Sequence, residues 1–332
     1  MQELISAIGQ LHNSGQASLQ TAEYYIVRSG QGMNGIIYRV TLLSDKNIEL
    51  AVKLCKVDER DRAGREYAAT AALIQAGHAI SAEPLHIEYD IPELPDLTML
   101  ISTWLPGKTL NAPPAPEDRR GWRDILYALA VAHELRPRDT PIPIREAVMP
   151  VRDPGDLLAT FVPRRERLPD GQIGALTTDQ IDHMLDILAA SIPERWEQPA
   201  PIGLILCDTN PTNMIAHQST IKLVDWENSG WADPAFDIAD LCAQPDYFDL
   251  PEEHRTWIRA EHGRILNDPS FALRAEVYER MMNVFWILGM SAALVGKSGN
   301  RMDGVKRYPQ EHYANFQMRY WERACALLEI SF

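Results

Sequence analysis

Three polar positions in the second half of this 332-residue chain have the types and spacing for metal-assisted group transfer. Asp208-Thr209-Asn210-Pro211-Thr212-Asn213 is followed twelve residues later by Asp225-Trp226-Glu227, and then by Asp233-Pro234-Ala235-Phe236-Asp237. Short apolar runs at 203–207, 214–216 and 221–224 read as strands with polar turns between them. Asp208 and Asn213 then share one turn and Asp225 ends the next strand, so two carboxylates and a carboxamide meet on a polar rim. Hard oxygen donors of this kind suit Mg²⁺, which takes few protein ligands and completes its shell from water and phosphate. The remaining carboxylate is free to orient and deprotonate a hydroxyl. Single Asp and Asn residues are ordinary in turns, so the ordered set carries the signal.

Two upstream features bear on the same chemistry. Gly30-Gln31-Gly32-Met33-Asn34-Gly35 has the G-x-G-x-x-G form, but a dinucleotide-binding turn must run into a helix. Here Ile36 to Thr41 has strand propensity, which makes a hairpin. It is either a flexible turn or a flap whose backbone N–H groups approach nucleotide phosphates because no Cβ intervenes. Lys53 follows, on the same strand face as Ala51 and Cys55. A lysine in so apolar a strand needs a partner if buried. Glu66 lies on the face of a helix at 59–76 that also carries Ala63, Ala69 and Leu73. A Lys53–Glu66 pair would aim the ammonium at phosphate oxygens; otherwise the two are an edge lysine and a solvated glutamate.

With these features in this order, the chain resembles the aminoglycoside phosphotransferase and choline kinase branch of the protein-kinase-like fold, over about residues 22–245. The resemblance implies an α+β bilobal architecture with a β-rich N-lobe and a mainly helical C-lobe. It also implies Mg²⁺-assisted transfer of the γ-phosphate of ATP or GTP to a hydroxyl of a small molecule. Gly30, Gly32 and Gly35 would cover the nucleotide, and Lys53, paired with Glu66, would hold its phosphates. Ser102-Thr103-Trp104 would be the hinge meeting the base, and Leu105-Pro106-Gly107 the turn into the second lobe. Asp208 would be the catalytic aspartate, Asn213 and Asp225 the magnesium ligands, and Asp237 a support for the catalytic loop through backbone N–H groups. The helix through Leu129 to Glu134 ends in Ala132-His133 where the family has Leu-His. A second departure is Leu206-Cys207-Asp208 in place of His-Gly-Asp, since leucine cannot supply a histidine's hydrogen bonds. The residues that the chemistry needs are all present, which favours an enzyme over a nucleotide-binding pseudokinase or scaffold without turnover. A kinase of proteins is disfavoured: no Asp-Phe-Gly occurs, and the only Ala-Pro-Glu, at 115–117, precedes the catalytic loop.

Glu227, Trp231 and Asp233 are candidate contacts for an amine-bearing acceptor, and a net charge of −14 is compatible with a cationic ligand. The same charge argues against nucleic acid as a partner. The aromatic residues near the aspartates (Trp226, Trp231, Tyr247, Phe248 and Trp257) are first of all core packing. No run of eighteen apolar residues occurs, the N-terminus lacks a signal-peptide pattern, and four scattered cysteines form no Cys-x-x-Cys. A reduced, cytoplasmic protein with no membrane partner is expected.

The elements that must position these residues follow from periodicity. A helix is expected at 3–11, strands at 24–28, 36–43 and 48–54, the helix at 59–76, and strands at 84–89 and 97–104. Pro106-Gly107 places the lobe boundary near 104, dividing the chain into a nucleotide-binding lobe (1–104) and a catalytic, acceptor-binding lobe (105–332). Helices are expected at 121–135, 177–190, 253–265, 270–296 and 309–329, with ordered loops at 111–118 and 137–155.

Overall fold

Period-two alternation of apolar residues builds the first half of the molecule. The computed structural model describes residues 1–31, 35–296 and 309–330. Helix α1 (Gln2–Ser14) is followed by β1 (Ser18–Gln20), β2 (Tyr24–Gln31), β3 (Gly35–Leu42), β4 (Glu49–Lys56), α2 (Arg62–Gln75), β5 (Pro84–Glu88) and β6 (Leu97–Thr103). The strands form one antiparallel sheet in the order β1-β2-β3-β4-β6-β5. One face carries Ile26, Val40, Val52, Leu54, Met99 and Ile101, packed with Leu4, Ile8 and Leu11 of α1. The other presents Cys55 and Leu100 to Ala63 and Tyr67 of α2. Alternation therefore sends Lys53, one residue from each of Val52 and Leu54, towards α2. Helix α2 starts later than its apolar stripe suggests, because Asp61 caps it by accepting the Gly64 N–H at 3.2 Å.

The second half is mainly helical. Its elements are β7 (Lys108–Thr109), α3 (Arg119–Glu134), α4 (Pro154–Ala159), α5 (Phe161–Glu166), β8 (Gln172–Ile173), β9 (Leu176–Thr177), α6 (Thr178–Ser191), β10 (Gly203–Ile205), β11 (Met214–His217), β12 (Thr220–Leu223), β13 (Gly230–Ala232), α7 (Ala235–Ala243), α8 (Glu252–Ile265), α9 (Phe271–Leu294) and α10 (Gln310–Leu327). Three strands pair in the order β12-β11-β7, and β10 pairs with β13. Gly107 is required where β7 meets β11: its φ is 137°, and a Cβ there would stand 2.5 Å from the Ala216 carbonyl oxygen. Trp122, Tyr247, Tyr278 and Tyr320 are fully buried in the helical core, as are Trp226 and most of Phe248.

Three local expectations are corrected. Helix α7 is absent from the sequence pattern because every residue of it is buried, so it shows no polar face and no 3.6-residue period. Helix α4 begins inside the span expected to be loop, nucleated by Pro154 at its first position and a capping box from Asp153 and Asp156. The strand expected at 203–207 stops at Ile205, because Cys207 turns into the left-handed region at φ 63°.

Asp233 ties α9 to the start of α7. Its oxygens accept from Arg274 Nε at 2.9 Å and Nη2 at 3.1 Å, and from the Ala235 N–H at 3.0 Å. Both side chains are buried, so removing one leaves the other charge uncompensated. Arg274→Met is therefore expected to lower unfolding free energy by about 3–5 kcal/mol, read by urea denaturation, whereas exposed Arg138→Met should leave it within about 0.5 kcal/mol.

Candidate active site

Three carboxylates converge on one ammonium. Lys53 Nζ lies 2.7 Å from Glu66 Oε2 and 3.1 Å from Glu227 Oε2, and it also contacts Asp225 Oδ1. The strand, α2 and the turn after β12 are thus joined at one atom. The other oxygen of Glu227 receives Arg62 Nη1 at 2.6 Å, and Arg62 Nε is 3.0 Å from Asp58 Oδ2. Burial opposes the charge on Lys53, but Asp225, Glu66 and Glu227 outweigh it and hold the ammonium well above its ordinary value. Glu66 is pushed up to about 7, by burial first, with Lys53 opposing and Asp225 adding to the rise. Negative charge exceeds positive in this cluster, which favours the approach of a further cation.

The turn that carries Asp208 is held from beneath through its backbone amides. Asp237, on α7 and fully buried, accepts the Leu206 N–H at 2.7 Å and the Cys207 N–H at 2.9 Å. His133, at the end of α3, stands 3.1 Å from the same carboxylate and 2.8 Å from His262 Nε2 on α8. Burial pushes His133 down to about 3, so its ring is neutral; Nε2–H donates to Asp237 and Nδ1 accepts from His262. Asp240, one helical turn beyond Asp237, accepts the Thr209 N–H at 3.1 Å and its hydroxyl at 2.8 Å. Between these supports the chain exposes Asp208, which is half-buried and lies 3.3 Å from Gln244 Nε2. Burial, then Asp240 and Asp225, push the Asp208 carboxyl up to about 7.

Asn213 donates its amide N–H to the Asp208 carbonyl at 3.1 Å, and its own carbonyl accepts from Val224 N–H at 2.9 Å. Its position is thereby fixed beside the strand end that carries Asp225. Asn213 keeps its side-chain amide oxygen for another partner, and the Asp225 side chain is about a third exposed. One amide oxygen and one carboxylate in a cluster of surplus negative charge fit Mg²⁺, whose remaining ligands come from water and phosphate. No group of three or more His, Cys, Asp or Glu side chains able to hold a metal occurs among the described residues, so an all-protein cage is not formed there.

Other expected positions fall as follows. Gly30 is the last residue but one of β2 and follows a register shift, and at Gly35 a Cβ would stand 2.9 Å from the Leu54 carbonyl oxygen; Gly32 lies outside the described residues. Ser102 and Thr103 end β6, and Trp104 N–H donates to the Glu49 carbonyl at 3.0 Å, with Arg39 over its ring at 4.9 Å. The expected acceptor contacts are corrected. Glu227 is buried between Lys53 and Arg62, Asp233 is buried against Arg274, and Trp231 packs in the helical core while its backbone pairs with residues 145–147. Sequence reasoning missed Glu227 as a partner of Lys53, although Asp-x-Glu places both carboxylates on one turn. It also missed Arg62, Asp240, Gln244 and His262. Only Asp240 carried a signal, one helical turn after Asp237.

Comparison with known proteins follows from this geometry. The model of the phosphotransferase enzyme family matches residues 34–275. No curated protein matches the chain. Among solved structures, a choline/ethanolamine kinase family protein from Mesorhizobium loti is 17% identical with a TM-score of 0.60, over 99% of this chain and 94% of that one. A thermostable mutant of an aminoglycoside phosphotransferase, in ternary complex with ADP and hygromycin B, is 13% identical with a TM-score of 0.59, over 97% of each chain. A spectinomycin phosphotransferase, in complex with ADP and spectinomycin, is 14% identical with a TM-score of 0.58, over 99% of this chain and 98% of that one. At these identities the structures attest a shared protein-kinase-like fold. With the family model spanning most of its length, the chain belongs to the phosphotransferase enzyme family.

Proposed function

We propose that the protein transfers the γ-phosphate of ATP or GTP to a hydroxyl of a small molecule. The observation that carries this is the meeting of Lys53, Glu66 and Asp225 at one atom, with Asp208 on the adjacent turn carrying a raised carboxyl. A nucleotide donor is supported by the bound ADP of two structures of the same fold. The nucleotide would lie between a lobe of residues 1–104 and one of 105–332, against Gly30, Gly32 and Gly35, with its base at Ser102–Trp104.

Phosphoryl transfer asks a protein mainly for positioning and charge neutralisation. Glu66 and Glu227 keep the Lys53 ammonium charged and aimed, so that phosphate oxygens can take the place of Asp225 on it. Asn213 and Asp225 would hold Mg²⁺, which offsets the charge developing on the phosphates. Asp208 accepts the hydrogen bond of the attacking hydroxyl and receives its proton as the new P–O bond forms and the bond to the nucleoside diphosphate breaks. Asp237 and His133 act on none of the reacting atoms; they fix the turn that presents Asp208. An amine-bearing acceptor loses its support, because Glu227 and Asp233 are spent on buried cations of the protein itself. Four free thiols and no helix apolar enough to cross a membrane among the described residues fit a cytoplasmic location.

Two outcomes test this. With an acceptor found by screening hydroxyl compounds for ADP release, Asp208→Asn is expected to lower kcat by about 10²–10⁴-fold with little change in nucleotide Kd. Full activity in that variant would remove Asp208 from the role, and nucleotide binding without transfer to any acceptor would leave a scaffold. For the wild type, kcat/KM should climb about tenfold per pH unit below 7 and level off above it, because the base must be the carboxylate and its free-enzyme value lies at about 7.

A further inference from the structure

Although the chain is acidic, one of its clefts is lined by arginine. The cleft, of about 710 Å³ and open to solvent, lies between the start of α2, the segment 145–150 and α5. Arg60, Arg65, Arg145, Arg164 and Arg167 face it, against two glutamates, Glu59 and Glu146. Glu146 is ion-paired with Arg152, and Arg145 reaches Asp61 at 3.3 Å. Among the described residues, no carboxylate comes within 4.0 Å of Arg60, Arg65 or Arg164.

Exposed arginines are ordinarily just solvated, and Arg60 is one of these. Arg65 and Arg164 are not; they are partly buried and held in place by neutral groups. Arg65 Nε donates to the Arg60 carbonyl at 3.0 Å, and its Nη1 to the Ser229 carbonyl at 3.0 Å. Arg164 Nη1 donates to the Thr160 carbonyl at 2.8 Å, and its guanidinium stacks over Phe285 at 4.6 Å. Fixed orientation with uncompensated charge is the arrangement that recognises an oxyanion by paired N–H donors. Burial and then the neighbouring Arg167 and Arg60 depress Arg164, while burial and then Arg145 depress Arg65 with Cys207 and Asp61 opposing, so positive charge outweighs negative at this cleft and favours an anion.

The cleft also touches the catalytic machinery. Met149 lines it, and its backbone lies near enough to the thiol of Cys207, the residue before Asp208, to favour that thiol's charged form. Arg65 adjoins Glu66, the partner of Lys53. The volume accommodates a sugar-sized molecule. We propose that this cleft binds the phosphate or carboxylate group of a small molecule, gripped by Arg60, Arg65 and Arg164. That group is either a handle on the acceptor, which rests on the phosphotransferase reading above, or part of a separate anionic effector.

The test reads binding and not turnover, so it stands apart from that reading. Glucose 6-phosphate and glucose are titrated calorimetrically into the full chain saturated with ADP. Saturable binding of the phosphate ester below about 1 mM, with none of glucose, is expected, and Arg60→Gln with Arg164→Gln should weaken it at least about tenfold. Arg138→Gln, at an exposed arginine outside the cleft lining, should leave it unchanged. Arg60→Gln alone, at an exposed position, should weaken binding without altering the unfolding temperature, which separates loss of a contact from loss of fold. No heat, equal binding of glucose, or variants that bind as the wild type does would overturn the proposal. A raised KM for phosphorylated acceptors at constant kcat in the arginine variants would assign the site to the acceptor. Binding that leaves every acceptor KM unmoved would assign it to an effector.

Discussion

The ammonium of Lys53 is the junction on which the arrangement depends. It emerges from the middle of β4 into a place where an unpaired charge would be costly, and it is tolerable only because Glu66, Asp225 and Glu227 surround it. Those three belong to α2 and to the turn after β12, so the electrostatic requirement of one side chain fixes the sheet, the helix and the turn that carries Asp225 relative to one another. Arg62 extends the network by satisfying the second oxygen of Glu227. The surplus of carboxylates leaves the same junction with excess negative charge, which favours the approach of a further cation.

The departure at Leu206-Cys207-Asp208 has a structural resolution. Leu206 is buried in the helical core and contributes no side-chain hydrogen bond, but the loop is held through its backbone by Asp237, which His133 and His262 in turn orient. Cys207 adopts φ 63°, where a side chain costs about 1–2 kcal/mol and glycine would cost little. Burial pushes its thiol well above the ordinary value, so it stays protonated and unreactive beside Asp208. The loop's geometry is thus kept without a histidine at position 206, through the same Asp237 contacts to backbone N–H groups that the family pattern suggests.

Much of this was legible from local pattern. Alternation along β4 and the apolar stripe of α2 place Lys53 opposite Glu66, because both periodicities are properties of short segments. Asp208, Asn213 and Asp225 could be grouped because apolar strands separate them at short range. Other features are not local. His262 meets His133 across 129 residues of sequence, and nothing in either segment marks the other. Helix α7 lacks a period because it has no solvated side. Glu227 and Asp233 looked like acceptor contacts because composition cannot tell a solvated carboxylate from one matched to a buried guanidinium. The arginine cleft is hidden for a related reason: its residues come from three separate segments, and a net charge of −14 says nothing about where the positive charges gather.

Calorimetric titration of ATP into the wild type and Asp225→Asn, with and without Mg²⁺, tests the central claim most directly. The account predicts binding that Mg²⁺ strengthens in the wild type and a gain from Mg²⁺ that largely disappears in the variant, since a neutral amide forfeits the anionic ligand. Binding that ignores Mg²⁺ in both proteins, or no binding at all, would contradict it and separate the Lys53 junction from phosphoryl transfer.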